Sequence, residues 1–223
     1  MSILLLPGPH RGPLVVRKAV HLVGALRATL EGVGNADYVI TCTCTCEDSQ
    51  ACSTLDGLVI RGTGLGRAYY GAVLVRGGCR VRIQNCDITS SAPCLGAKGS
   101  SVYVLRASPI LVGCGVHDSD NGVRFKGGTT RGEVRGCTLA RNRVGLAVVG
   151  GAAPSITGCV ISDSARDGVA LRGAGGRLEG CTIVRSGGWG VGMSAYNNNL
   201  FLNNMALANN TFEDNRRGDV RPC

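Results

Sequence analysis

A Gly-Cys dipeptide that returns at a fixed interval constrains this chain more than any other feature. It appears as Gly113-Cys114, Gly136-Cys137, Gly158-Cys159 and Gly180-Cys181, with cysteines 23, 22 and 22 residues apart. Self-similarity at such a period is the signature of a solenoid, in which each repeat stacks on its neighbours. Two residues after each cysteine stand Val116, Leu139, Ile161 and Ile183, and three residues before it Leu111, Val134, Ile156 and Leu178. A glycine then follows (Gly122, Gly145, Gly168, Gly190), and after it the alternating pairs Val123/Phe125, Leu146/Val148, Val169/Leu171 and Val191/Met193. Period-two alternation marks strands with one buried face. Each coil therefore holds two or three short strands joined at Gly, Asn and Ser bends, and stacking the coils pairs each strand in parallel with its counterpart about 4.8 Å away.

The pattern extends upstream to Asn85-Cys86-Asp87-Ile88 and downstream to Asn209-Asn210-Thr211-Phe212. Leu55, Leu58 and Ile60 fit an earlier coil, and Leu14 to Val16, His21 to Gly24 and Thr29 to Gly32 an opening one. The expected architecture is all-β, a right-handed single-stranded parallel β-helix of about eight coils of roughly 22 residues. A single domain covers 1–223: irregular coils with insertions over 1–112, regular coils over 113–194, and a loop with a capping coil over 195–223. The insertions at 62–70, 90–101 and 196–204 read as side loops where protein contacts would lie.

Composition agrees with a repeat protein. Glycine supplies 35 of 223 residues and aromatics only 4%, so the core must be built from small aliphatic side chains. The net charge of +9 favours acidic partners: acidic protein surfaces, polyuronates or nucleic acid. Nucleic acid ranks last, because the nine Phe, Tyr and Trp residues do not interleave with the arginines as a stacking platform requires. Most of the 12 cysteines fall in apolar periodic segments, which predicts reduced, buried thiols rather than a secreted disulfide framework. Met1 to Pro7 lacks a basic leader, and no apolar stretch approaches the ~20 residues of a membrane span. The expectation is a soluble cytoplasmic or other intracellular protein without a membrane partner.

Leu4-Leu5-Leu6-Pro7-Gly8, the basic-apolar segment Val16 to Val20, and His21-Leu22-Val23-Gly24 resemble the opening coil of the pectin-lyase-like β-helix superfamily. Within it, the chain is similar to the β-helix repeat regions of F-box-type and Shc-binding-type proteins. That resemblance implies protein recognition rather than sugar cleavage.

Superfamily members that cut pectate need converging carboxylates on an outer strand face. Outward positions after the ladder cysteine are Gly115, Thr138, Val160 and Thr182, and those between the later apolar pairs are Arg124, Ala147, Ala170 and Gly192. Neither row holds an acid, so no catalytic residue and no cofactor is assigned. Four residues after the ladder position, which is Cys in the regular coils and Asn210 in the last, Asp118, Arg141, Asp163, Arg185 and Asp214 read as a surface salt-bridge ladder. The next column, Ser119, Asn142, Ser164, Ser186 and Asn215, reads as a ladder of turn residues. Cys42, Cys44 and Cys46 share one strand face, and with Cys52 could hold a metal, but small buried residues following Tyr38 and Ile40 on an inward face are the preferred reading. Arg217-Gly218-Asp219 matches an adhesion tripeptide, but Gly218 occupies the repeat's own glycine position.

The scarce aromatics Tyr69, Tyr70, Trp189 and Tyr196, with Arg141 and Arg185, are the candidate interaction residues. The first coil, with an apolar strand at Ile3 to Leu6, lacks a cap and is expected to dock on a protein partner by strand addition. The sequence thus points to a non-catalytic β-helix scaffold that binds protein with an acidic surface, as a subunit of a larger assembly. The alternative is a carbohydrate-active β-helix that binds or cleaves acidic polysaccharide.

Overall fold

The computed structural model describes residues 1–26, 28–33, 36–44, 53–62, 70–90, 99–194 and 203–221. Among them the chain forms three parallel sheets of nine, nine and eight strands. Consecutive strands go to the first, second and third sheet in turn, and every third strand returns to pair with its predecessor. Nine coils result, one more than the spacing of the cysteines suggested. The regular coil begins with strands such as Ile110–Val112, Gly115–His117 and Asn121–Lys126. The next coil repeats them in register, with Leu111 opposite Val134, Val116 opposite Leu139 and Val123 opposite Leu146.

This register carries the apolar columns into one continuous core. Leu111, Val134, Ile156 and Leu178 are buried, as are Val116, Leu139, Ile161 and Ile183. Phe125 and Leu146 occupy the same interior from the third sheet. Cys86, Cys114, Cys137, Cys159 and Cys181 stack at one corner as free thiols, all buried. Cys114 donates to the carbonyls of Ile83 and Val112 at 3.4 and 3.5 Å, so its thiol serves as a small core group with a weak donor.

The corners explain the dipeptide. Gly113, Gly136, Gly158 and Gly180 all take φ between 56° and 59°, the left-handed region that side chains ordinarily avoid. In the outer copies Asn85 and Asn209 fill the same place at φ 52° and 53°, which fits asparagine's tolerance for this conformation. A second left-handed corner falls at Asp118, Arg141, Asp163, Arg185 and Asp214, with φ of 53° or 54°. The sequence gives no sign of that corner, since arginine has no preference for it; the stacked backbone imposes it.

The turn column behaves as expected at Ser119, Asn142 and Asn215, whereas the buried hydroxyls of Ser164 and Ser186 find no hydrogen-bond partner among the described residues. Buried Asn142 donates from Nδ2 to the Val116 carbonyl at 3.0 Å and accepts the Ser119 amide at 3.1 Å. Asn215 repeats this with the Ile183 carbonyl and the Ser186 amide. Each such side chain satisfies two corner backbone groups that would otherwise be desolvated without partners.

Candidate functional site

On the third sheet the outward residues of successive strands form a column, Leu74, Tyr103, Arg124, Ala147, Ala170 and Gly192, fixed by strand register. From Ala147 onward these residues are too small to fill the space above the sheet. The result is an open groove of about 670 Å³. A second column, Lys126, Val149, Arg172 and Ser194, runs beside the first.

The turn leading into the sheet forms one wall. Backbone bonds from Arg166 to the Arg143 carbonyl, Gly188 to the Arg166 carbonyl and Arg217 to the Gly188 carbonyl stack these residues on consecutive coils. Arg143 donates to Asp120 through Nε and, at 3.1 Å, through Nη2. Burial works against the Arg143 guanidinium, yet its pKa is raised, because the hydrogen bonds to Asp120 outweigh that desolvation. Asp167 accepts the backbone amide of Trp189 at 2.9 Å and stands beside Gly188 and Gly192, where an added Cβ would collide with its carboxylate. Half-buried Trp189 lines the groove, with Gly218 packed against its ring.

Seven cations therefore line the groove, Arg124, Lys126, Arg143, Arg166, Arg172, Arg217 and Arg221, against two carboxylates, Asp120 and Asp167. Arg221 is tied to the Met193 carbonyl, and Arg124 lies over the Tyr103 ring at 5.7 Å. Among the described residues, Arg124, Lys126, Arg166, Arg172 and Arg217 form no ion pair with a carboxylate. The arrangement can hold a polyanion; guanidinium groups bind carboxylates in pairs but do not exchange protons at ordinary pH.

The groove was not anticipated from the sequence, apart from Trp189 among the interaction residues. Asp120 and Asp167 escaped the search for grouped acids because they lie in the turn, outside the outward strand positions. The extra residue between Asp163 and Gly168 also shifts Asp167 out of the 22-residue register. The cations were visible individually, but only the winding places them together.

The remaining candidates fall elsewhere. Arg141 grips Asp118 with Nε and Nη2, both at 2.9 Å, and Arg185 grips Asp163 at 2.7 and 2.9 Å. The expected charge ladder is thus made of discrete pairs, and both arginines are exposed. His117 joins this surface, reaching Asp118 at 2.6 Å through Nδ1 and Asp87 at 2.7 Å through Nε2. Asp87 stands 30 residues before His117 and meets it only because the coils stack.

Tyr70 must be corrected: it is 2% exposed and packs beside Gly99, so it cannot anchor a surface contact. Tyr69 and Tyr196 lie outside the described residues, as do Cys46 and Cys52. Cys42 and Cys44 are buried in the core. Burial pushes the Cys42 thiol well above its ordinary pKa, with the neighbouring Cys44 adding to the effect. Among the described residues, no group of three or more His, Cys, Asp or Glu is placed to hold a metal ion. Nor is any helix long and apolar enough to cross a membrane.

Sheet order, register and inward columns define a parallel β-helix. The family model described as "right handed beta helix region" matches residues 71–220, and the chain belongs to that family. No match was found among curated proteins. Among solved structures, the chain is similar to the Dettilon tailspike protein, at TM-score 0.67 and 15% identity over 92% of this chain. It spans 41% of the tailspike's length. It is also similar to the Azotobacter vinelandii mannuronan C-5 epimerase AlgE4 A-module, at TM-score 0.61 and 15% identity, covering 94% of this chain and 68% of that one. At these identities the likeness is one of fold. The expected likeness to F-box-type and Shc-binding-type regions finds no counterpart in these matches.

Proposed function

We propose that the groove on the third sheet binds an acidic polysaccharide in an extended conformation. The observation that carries this reading is the set of cations without carboxylate partners around a floor of Ala147, Ala170 and Gly192. Unpaired cations concentrated in one cleft raise the local potential and favour a ligand with repeating anionic groups. Trp189 adds a flat apolar face, which a sugar ring can cover. The fold likeness to an epimerase that acts on mannuronan agrees with this ligand class without establishing it.

The groove is read as a binding site without turnover. Asp120 is engaged by Arg143 and also accepts Asn121 Nδ2 at 3.0 Å, while Asp167 is held by the Trp189 amide. Neither is disposed as an uncommitted acid or base next to a bound sugar. Affinity electrophoresis in gels containing polygalacturonate or neutral dextran tests both parts. Retardation by the polyuronate alone, with no unsaturated product, supports the reading; equal mobility in both gels contradicts it.

The protein-binding scaffold remains as a second reading because of one observation: Leu4 and Leu6 in the first coil are 61% and 64% exposed. Met1, Ile3 and Val15 in the same coil are exposed as well. The groove joins charge, shape and an aromatic face in one place and supplies the stronger chemical argument.

A further inference from the structure

We propose that Cys44 and Cys79 are partners in a disulfide bond that cross-links two successive coils. This goes beyond the groove and does not depend on its ligand. It also departs from the expectation that all the thiols remain reduced.

Cys44 follows the strand Tyr38–Cys42, and Cys79 follows Gly71–Arg76, its neighbour in the third sheet. Register alone would set Cys44 opposite Gly77, because Cys42 faces Val75. The turn at Gly77 and Gly78, with φ of 69° and 80°, reverses the chain and points Cys79 back into the core. The two sulfur atoms then lie 2.8 Å apart, and both residues are buried. Nonbonded carbon atoms settle at roughly 3.5–4 Å and sulfur is larger than carbon, so two independent thiols would not choose this separation. A disulfide needs S–S near ~2.05 Å and Cα atoms about 4.4–6.8 Å apart, which suits stacked coils at their ~4.8 Å spacing.

Later coils show what an ordinary occupant of this corner looks like. Ala107, Thr130, Ala152 and Ala174 take the equivalent place, linked by backbone bonds from Arg131 to Ala107, Ala153 to Thr130 and Gly175 to Ala152. Small residues suffice there. At Cys44 and Cys79 two cysteines from adjacent coils meet instead, with their sulfur atoms in direct contact. The Ser53 hydroxyl donates to Cys44 at 3.5 Å, leaving the pair enclosed by protein.

The oxidant is a small-molecule disulfide such as oxidised glutathione. One cysteine thiolate attacks it, forming a mixed disulfide and expelling one small thiolate. The second cysteine thiolate then displaces the other, so the Cys44–Cys79 bond forms, two small thiols are released, and they take up the two protons. Burial, more than any other influence, pushes the Cys79 thiol upward in the folded chain, which depletes the thiolate that must attack. The bond therefore forms before the coil closes, and closure then shields it from reductants.

The experiment is refolding of the full chain from denaturant in a glutathione redox buffer, followed by non-reducing peptide mapping with intact mass. The expected result is a linked peptide pair containing Cys44 and Cys79, a mass lower by two hydrogens, and a Tm about 5–10 °C above that of the reduced protein. The link should resist reductant in the folded state, yield to it in urea, and survive in Cys42→Ala. Complete alkylation of both cysteines after oxidative refolding would overturn the proposal. So would pairing of either with a different cysteine. Stoichiometric zinc lost in Cys44→Ser would overturn it in favour of a metal site. Because the reduced wild-type protein is the comparator, a variant's failure to fold leaves the result readable.

Discussion

Arg141 reaches across one coil and closes both of its donors, Nε and Nη2, on the two carboxylate oxygens of Asp118 at 2.9 Å. Both residues occupy left-handed backbone, at φ 53° and 54°. Hydrogen bonds from Arg141, aided by His117, hold the Asp118 carboxyl below its ordinary pKa; Arg185 does the same to Asp163. A carboxyl with a depressed folded pKa contributes stability that is fully present above its unfolded value of ~3.9 and disappears as pH falls through the folded value. Both pairs are exposed, so the contribution is small. Thermal melts of wild type and Asp118→Asn should differ by no more than a few degrees at pH 7 and converge once the pH has fallen below the lowered folded pKa of Asp118. A difference that grows on acidification would contradict the pairing.

The glycine corners give a sharper test, because asparagine already replaces glycine at Asn209, where φ is 53°. Asn209→Gly should be neutral or slightly stabilising, whereas Asn209→Val should cost about 1–2 kcal/mol, the penalty for a side chain in left-handed backbone. Urea denaturation at constant m-value measures both.

Asn142 provides the matching test of the turn column. It is 1% exposed and serves the Val116 carbonyl and the Ser119 amide together. Asn142→Ala should cost about 1–3 kcal/mol by leaving buried groups unpaired, and Asn142→Ser, the residue found at the equivalent position 119, where its hydroxyl donates to the His117 carbonyl, should recover part of it. Equal loss in both variants would show that shape, not hydrogen bonding, sets the column.

The fold was legible because its information is periodic. A column such as Leu111, Val134, Ile156 and Leu178 needs only a constant interval to be seen, and that interval dictates stacking. The groove was hidden for the opposite reason. Its floor consists of what Ala147, Ala170 and Gly192 lack, and its walls combine positions from the turn, the strand and the C-terminal coil. Tyr70 shows the same limit: a large aromatic beside an insertion looks exposed until Gly99 on the next coil is seen to leave it room.

In the groove, Ala170→Trp fills the floor without disturbing the inward face, and Arg166→Ala with Arg172→Ala removes two unpaired cations. Each change should weaken polyuronate retention by about tenfold or more while leaving Tm nearly unchanged, since exposed arginines contribute little to stability. Loss of retention should also follow a rise in salt, because charges open to solvent are screened.

The sole tryptophan makes the most direct measurement available, because Trp189 lies in the groove itself. Titration of polygalacturonate at low salt should change its fluorescence along a saturable curve that salt suppresses, while neutral dextran at equal mass leaves it unchanged. Identical, flat responses to both polymers would contradict the assignment of the groove to an acidic polysaccharide.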